Sequence, residues 1–207
     1  MNTLELATYG PVIPVIVLHR VEDAVPLAQA LVDGGVRVLE VTLRTPAAIA
    51  CMKAIIAAVP GAIVGAGTIR SIADAQAARD IGCAFGVSPG YTSAVGLACR
   101  EIGLPLLPGV ATASEVMTAQ ADGYDFLKFF PATAAGGIPL LKALAGPFTD
   151  VVFCPTGGIT PETAPQFLAL SNVKVCGGSW LTPQDAVDQK DWARITKLAR
   201  EAGALRP

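Results

Sequence analysis

The sequence predicts a (β/α)8 barrel, an α/β fold, and three observations carry that expectation. Eight short apolar runs rich in β-branched residues recur roughly 23 residues apart, near the length of one compact strand–helix unit. Ala- and Leu-rich segments with helical periodicity lie between them. No linker, low-complexity stretch or shift in composition interrupts the chain, so residues 1–207 read as one domain. The rival architecture is a doubly wound open sheet; eight unbroken units favour the closed ring.

The strand candidates, in order, are Val12 to Leu18, Val36 to Leu43, Ala62 to Ile69, Phe85 to Pro89, Pro105 to Val110, Phe126 to Ala132, Val151 to Ile159 and Val173 to Trp180. Most are continuous apolar runs, as expected for parallel strands covered on both faces. Helix starts are marked by Thr45-Pro46, Thr160-Pro161-Glu162 and Thr182-Pro183, each placing a Thr cap before a Pro at the first helical position. Ser71 to Asp74 reads S-x-x-D, a relative of the capping box. Gly34-Gly35, Gly82 and Gly103 stand where helices should end.

Composition removes several classes of function. Apolar residues make up 52% of the chain and charged residues 15%, which excludes disorder. Formal net charge is −2 with Lys and Arg dispersed, so there is no basic stripe for nucleic acid and no polybasic segment for a membrane surface. The apolar runs fall short of the roughly 20 residues that span a bilayer. Met1 to Gly10 carries Glu5 and no basic residue, unlike a secretory leader. A cytoplasmic location is the expectation. The five cysteines are widely spaced, without a C-x-x-C pair, and His19 is the one histidine. They suggest buried thiols, with neither a disulfide framework nor a metal site.

Barrel active sites form at the C-terminal ends of the strands. Lys128 lies in FLKFF, a run that otherwise reads as buried strand, where desolvation favours the neutral, nucleophilic amine. Glu40 lies in VLEVTL, and with Thr42 and Arg44 it shares one strand face if the extension persists. Two readings stand here. Glu40 shuttles protons beside Lys128 while Arg44 clamps a carboxylate, or Glu40 forms a structural ion pair with one of the two cations. Gly157-Gly158 and Gly177-Gly178 follow the last two strands and precede helix starts, with Ser179 alongside. Their backbone amides suit a phosphate, although paired glycines also serve plain tight turns. Gly65-Ala66-Gly67 lacks the spacing of a dinucleotide fingerprint. Trp180 and Trp192 read as packing residues, and His19 as a rim or surface residue.

Taken in order, VRVLEVTLRT, AIVGAGT, VSPG, PLLPGV, LKFFPA, FCPTGGI and GGSW resemble the bacterial 2-keto-3-deoxy-6-phosphogluconate aldolase family, from about Gly10 to the ITKLARE segment. The resemblance implies a class I aldolase of carbohydrate metabolism in the Entner–Doudoroff pathway, a homotrimer of (β/α)8 barrels with no cofactor and no metal. It makes Lys128 the Schiff-base lysine and Glu40 the general acid/base. It assigns Arg44 and Thr68 to the carboxylate of the pyruvate moiety, Pro89 and Phe130 to the pocket wall, and Thr156 to a substrate contact. It places the phosphate on Gly157, Gly158, Gly178 and Ser179. The implied partner is a phosphorylated 2-keto acid. The 4-epimeric galactonate phosphate and 4-hydroxy-2-oxoglutarate are alternative substrates, and a non-catalytic phosphate-binding barrel is the remote alternative.

Overall fold

The strands of this computed structural model are all parallel and run in two sheets. It describes residues 3–205; Met1, Asn2, Arg206 and Pro207, which the expected domain includes, lie outside the described residues. In chain order the elements are β1 (Val12–Ile16), α1 (Ala24–Asp33), β2 (Val38–Thr42), α2 (Ala48–Ala58), β3 (Ile63–Gly67), α3 (Ile72–Asp80), β4 (Phe85–Val87), α4 (Ser93–Glu101) and β5 (Leu106–Leu107). Then come β6 (Gly109–Val110), α5 (Ala113–Ala121), β7 (Phe126–Phe129), α6 (Gly137–Leu144), β8 (Val152–Pro155), α7 (Ala164–Leu168), β9 (Cys176–Gly178), α8 (Gln184–Asp188) and α9 (Trp192–Gly203).

One sheet runs β5-β4-β3-β2-β1-β9 and the other β6-β7-β8, a barrel-like arrangement in which the first strand pairs with the last. The fifth expected strand is divided between them at Pro108. Proline has no N–H to donate to a ladder, but its carbonyl still accepts from Lys128 N at 2.8 Å. Thus β5 pairs with β4 on one side of the proline and β6 with β7 on the other. Between β8 and β9 the contact consists of isolated parallel bridges, Phe153 with Val173 and Thr156 with Gly177.

Observed strands are shorter than the apolar runs, because each run continues into the loop that caps the strand. The Thr-Pro helix starts are corrected in the same way. Thr45 Oγ1 donates to the Leu18 carbonyl at 2.5 Å, tying two rim loops together, and α2 begins only at Ala48. Thr160 and Thr182 likewise precede α7 and α8 without capping them. Ser71 does cap α3, accepting from Asp74 N, and Gly35, Gly82 and Gly103 adopt the left-handed φ expected after a helix.

One buried cluster joins strands of both sheets through Ile13, Val38, Phe85, Val87, Leu107, Phe126, Cys154 and Val175. Leu6, from the 3-10 turn Thr3–Tyr9, joins it and is 1% exposed. Phe85 occupies the space that Gly65 leaves, since a Cβ there would collide with its ring. Two larger clusters pack the outer strand faces against the helices. Trp180 and Trp192 pack partly buried against the first of these, all five cysteines are buried and free, and His19 is exposed.

Candidate active site

Glu40 and Lys128 reach one another from opposite sheets. Glu40 is in β2, opposite Val15 of β1 and Gly65 of β3; Lys128 is in β7, opposite Gly109 of β6 and Cys154 of β8. Lys128 Nζ donates to Glu40 Oε1 at 3.1 Å, and each side chain is 4% exposed. Enclosure on this scale costs both ions their hydration, and the pair offsets that only through contact. The ammonium also lies 5.2 Å from the centre of the Phe130 ring, within cation–π range. Burial pushes the neighbouring Cys154 thiol up to about 12, against the opposing pull of the Lys128 charge.

Arg44 and Thr68 form a second pair at the same ends of β2 and β3. Arg44 Nε donates to Thr68 Oγ1 at 3.3 Å. Thr68 has φ 67°, a left-handed conformation that is costly for a β-branched residue. The guanidinium is exposed, so it keeps donors free for a ligand.

Arg44, Phe130, Thr156, Gly157, Gly158 and Ser179 line a common cavity of about 120 Å³, completed by Val15, Ile159 and Gly177. Gly157 (φ 103°) and Gly158 (φ 77°) are left-handed, and a Cβ on Gly158 would meet Thr133 Oγ1 at 2.6 Å. The Trp180 ring fills the place of a Gly178 side chain, and the adjoining Gly177 borders the cavity. Pro89 follows β4, half-buried, with its carbonyl against the Cα face of Gly109.

Sequence reading missed Val15 and Ile159 in the cavity wall, and Cys154 beside Lys128; Gly177, singled out with Gly178 as a glycine pair suited to a phosphate, does border the cavity. Apolar residues within apolar strands carry no mark of facing a ligand; only the register, Val15 opposite Glu40, could have pointed to the first. Among the described residues no group of three or more His, Cys, Asp or Glu side chains converges, and no helix is long and apolar enough to cross a membrane.

Parallel strands that enclose an amine–carboxylate pair at one end, with a guanidinium and a glycine-lined cavity beside it, define a lyase of the aldolase type. The chain belongs to the KDPG and KHG aldolase family, whose model matches residues 4–198. A 2-dehydro-3-deoxy-phosphogluconate aldolase of Pseudoalteromonas atlantica is 49% identical to it over 204 residues, 99% of this chain and 95% of the relative. The crystal structure of 2-keto-3-deoxy-6-phosphogluconate aldolase of Zymomonas mobilis with 3-phosphoglycerate superposes with a TM-score of 0.93 at 47% identity, covering 98% of this chain and 95% of that one. The KDPG aldolase of Legionella pneumophila, with pyruvate captured at low pH as a covalent carbinolamine intermediate, gives a TM-score of 0.96 at 44% identity and 99% coverage of both chains.

Proposed function

We propose that this chain is a class I aldolase that cleaves 2-keto-3-deoxy-6-phosphogluconate to pyruvate and glyceraldehyde 3-phosphate through a Schiff base on Lys128. The observation that carries the reading is the enclosed contact of Lys128 Nζ with Glu40 Oε1 at 3.1 Å. It gives the amine an acceptor for its proton and places an acid/base within reach of whatever the amine binds. The covalent carbinolamine in the Legionella structure and the family match support it.

The reaction begins as Nζ yields a proton to Glu40 and attacks the C2 ketone. Glu40 returns that proton to the carbinolamine hydroxyl, which leaves as water and gives an iminium. The C4 hydroxyl then passes its proton to the Glu40 carboxylate through a water. As C3–C4 breaks, its electron pair moves into a C2–C3 enamine and neutralises the iminium nitrogen, and the aldehyde departs. Glu40 protonates C3, and water hydrolyses the renewed iminium to release pyruvate and the free amine. The iminium is the electron sink of the bond-breaking step.

Arg44 and Thr68 hold the carboxylate of the pyruvate moiety, which fixes the keto carbon over Nζ, while Phe130 and Pro89 wall the pocket. Thr156 contacts the substrate chain. Gly157, Gly158, Gly178 and Ser179 receive the phosphate, and binding there is remote from the reacting bond and orients it. The 3-phosphoglycerate in the Zymomonas structure supports a phosphate-bearing three-carbon ligand. Cleavage of 4-hydroxy-2-oxoglutarate is the second reading, favoured by the family's double description.

The same reading makes residues 1–207 one closed (β/α)8 domain. The β9–β1 ladder and the two β8–β9 bridges support closure on one side, and the shared fifth strand on the other. The homotrimer and the cytoplasmic location follow from the family resemblance. Incubation with pyruvate and borohydride tests the mechanism: a stable adduct on Lys128, absent in Lys128→Ala, is the expected result, and an unlabelled wild type overturns it.

A further inference from the structure

We propose that Gly67 is a positioning residue for Glu40, its absent side chain forming the seat on which the carboxyl group rests; this deepens the Schiff-base reading and rests on it. A Cβ on Gly67 would lie 2.5 Å from Glu40 Oε1, 2.7 Å from Cγ and 3.0 Å from Cδ. Each distance is well inside van der Waals contact. The need for glycine is not conformational, because Gly67 ends β3 in regular strand register with Thr42 and Val87 and has no left-handed φ.

Residues two apart on a strand share a face, and the GAG segment uses that face twice. Gly65 leaves room for the Phe85 ring, and Gly67 leaves room for the carboxylate. The two glycines therefore serve packing and alignment respectively. Among the described residues, the hydrogen bond from Lys128 Nζ to Oε1 is the one that holds Glu40. A single bond leaves the carboxyl free to pivot about its Cγ, and the surface of Gly67 stops that pivot. A methyl group at position 67 would drive the carboxyl off by several tenths of an ångström or more. Misplacements on the order of 1 Å cost catalytic groups about a hundredfold.

The experiment is a double-mutant cycle on the full chain. Gly67→Ala is expected to lower kcat ten- to a hundredfold with KM for the phosphorylated substrate within threefold. Aspartate is one methylene shorter and withdraws from the methyl, so in a Glu40→Asp background the same change should cost threefold or less. An unchanged kcat, a loss that falls on KM, or an equal penalty in both backgrounds overturns the proposal. If Gly67→Ala alone does not fold, Gly67→Ala with Glu40→Ala should restore the Tm of Glu40→Ala; failure to do so overturns it equally. The borohydride adduct on wild-type Lys128 is read separately. Its absence sinks the Schiff base, while coupling in Tm between positions 40 and 67 still reports the contact.

Discussion

Arg44 Nε donates to Thr68 Oγ1 across 3.3 Å, joining the turn after β2 to the residue that follows β3. Thr68 meets this contact from a left-handed backbone at φ 67°. Strain of about 1–3 kcal/mol at such a residue is tolerated where the surroundings fix it. Thr68→Gly should therefore hold or raise Tm while raising KM for pyruvate-derived substrates. Arg44→Ala should raise KM tenfold or more with a smaller effect on kcat, and Arg44→Lys should recover only part of it, because an ammonium lacks the two-pronged donor geometry. Steady-state kinetics of the three variants, with thermal melts, check the pair. A fall in Tm for Thr68→Gly would contradict the strain argument.

The enclosed Lys128–Glu40 pair predicts a non-additive stability effect. Lys128→Met leaves an uncompensated buried carboxylate and should cost about 3 kcal/mol. Lys128→Met combined with Glu40→Gln should recover most of that loss, since neither charge remains. Urea denaturation of wild type, both singles and the double measures the coupling. Additive effects would mean that the two groups do not compensate each other in the folded chain.

Ser179 borders the cavity with Gly157 and Gly158 and is exposed to it. Ser179→Ala should raise KM for a phosphorylated substrate about tenfold, the scale of one lost hydrogen bond to an ion. Exchange of the pyruvate methyl protons, which needs no phosphate contact, should change less than twofold. Equal losses in both assays would place the phosphate elsewhere.

The buried thiols give the chain an alkaline limit. Desolvation raises Cys83 to about 12, Cys99 to about 11 and Cys154 to about 12, and it pushes Cys176 up as well. These groups keep their protons when folded and lose them near the ordinary thiol range when unfolded. Between those limits the native state binds more protons, so stability falls as pH rises. Tm should be level below about pH 8.5, the ordinary thiol value, and decline steadily above it. Cys83→Ala with Cys99→Ala should flatten the slope. A Tm that stays constant to pH 11 would contradict the burial argument.

Charged residues inside apolar runs were the legible part of this site. Glu40 in VLEVTL and Lys128 in FLKFF stand out because nothing in a buried strand explains an ion. Eight strand positions were legible too, because parallel strands covered on both faces leave continuous apolar runs. What escaped was decided by tertiary contact. Thr45 looks like a helix cap until its hydroxyl finds the Leu18 carbonyl on a neighbouring loop. Pro108 divides the fifth strand because it has no N–H for a ladder, leaving β5 on β4 and β6 on β7. Val15 and Gly67 carry no chemical mark at all. Their importance is a matter of what they adjoin: Val15 lines the cavity that Arg44 also borders, and Gly67 lies against the Glu40 side chain.

The pairing of β1 with β9 also has a temporal side. Val12 and Cys176 stand opposite one another, although every other strand lies between them in the sequence. Until Cys176 has been made, β1 therefore waits with one flank of its peptide groups open. Sequence-distant pairings of this kind slow folding and expose nascent chains to misassembly. A chain stalled before Cys176 should be cut rapidly by added protease, whereas the released chain resists.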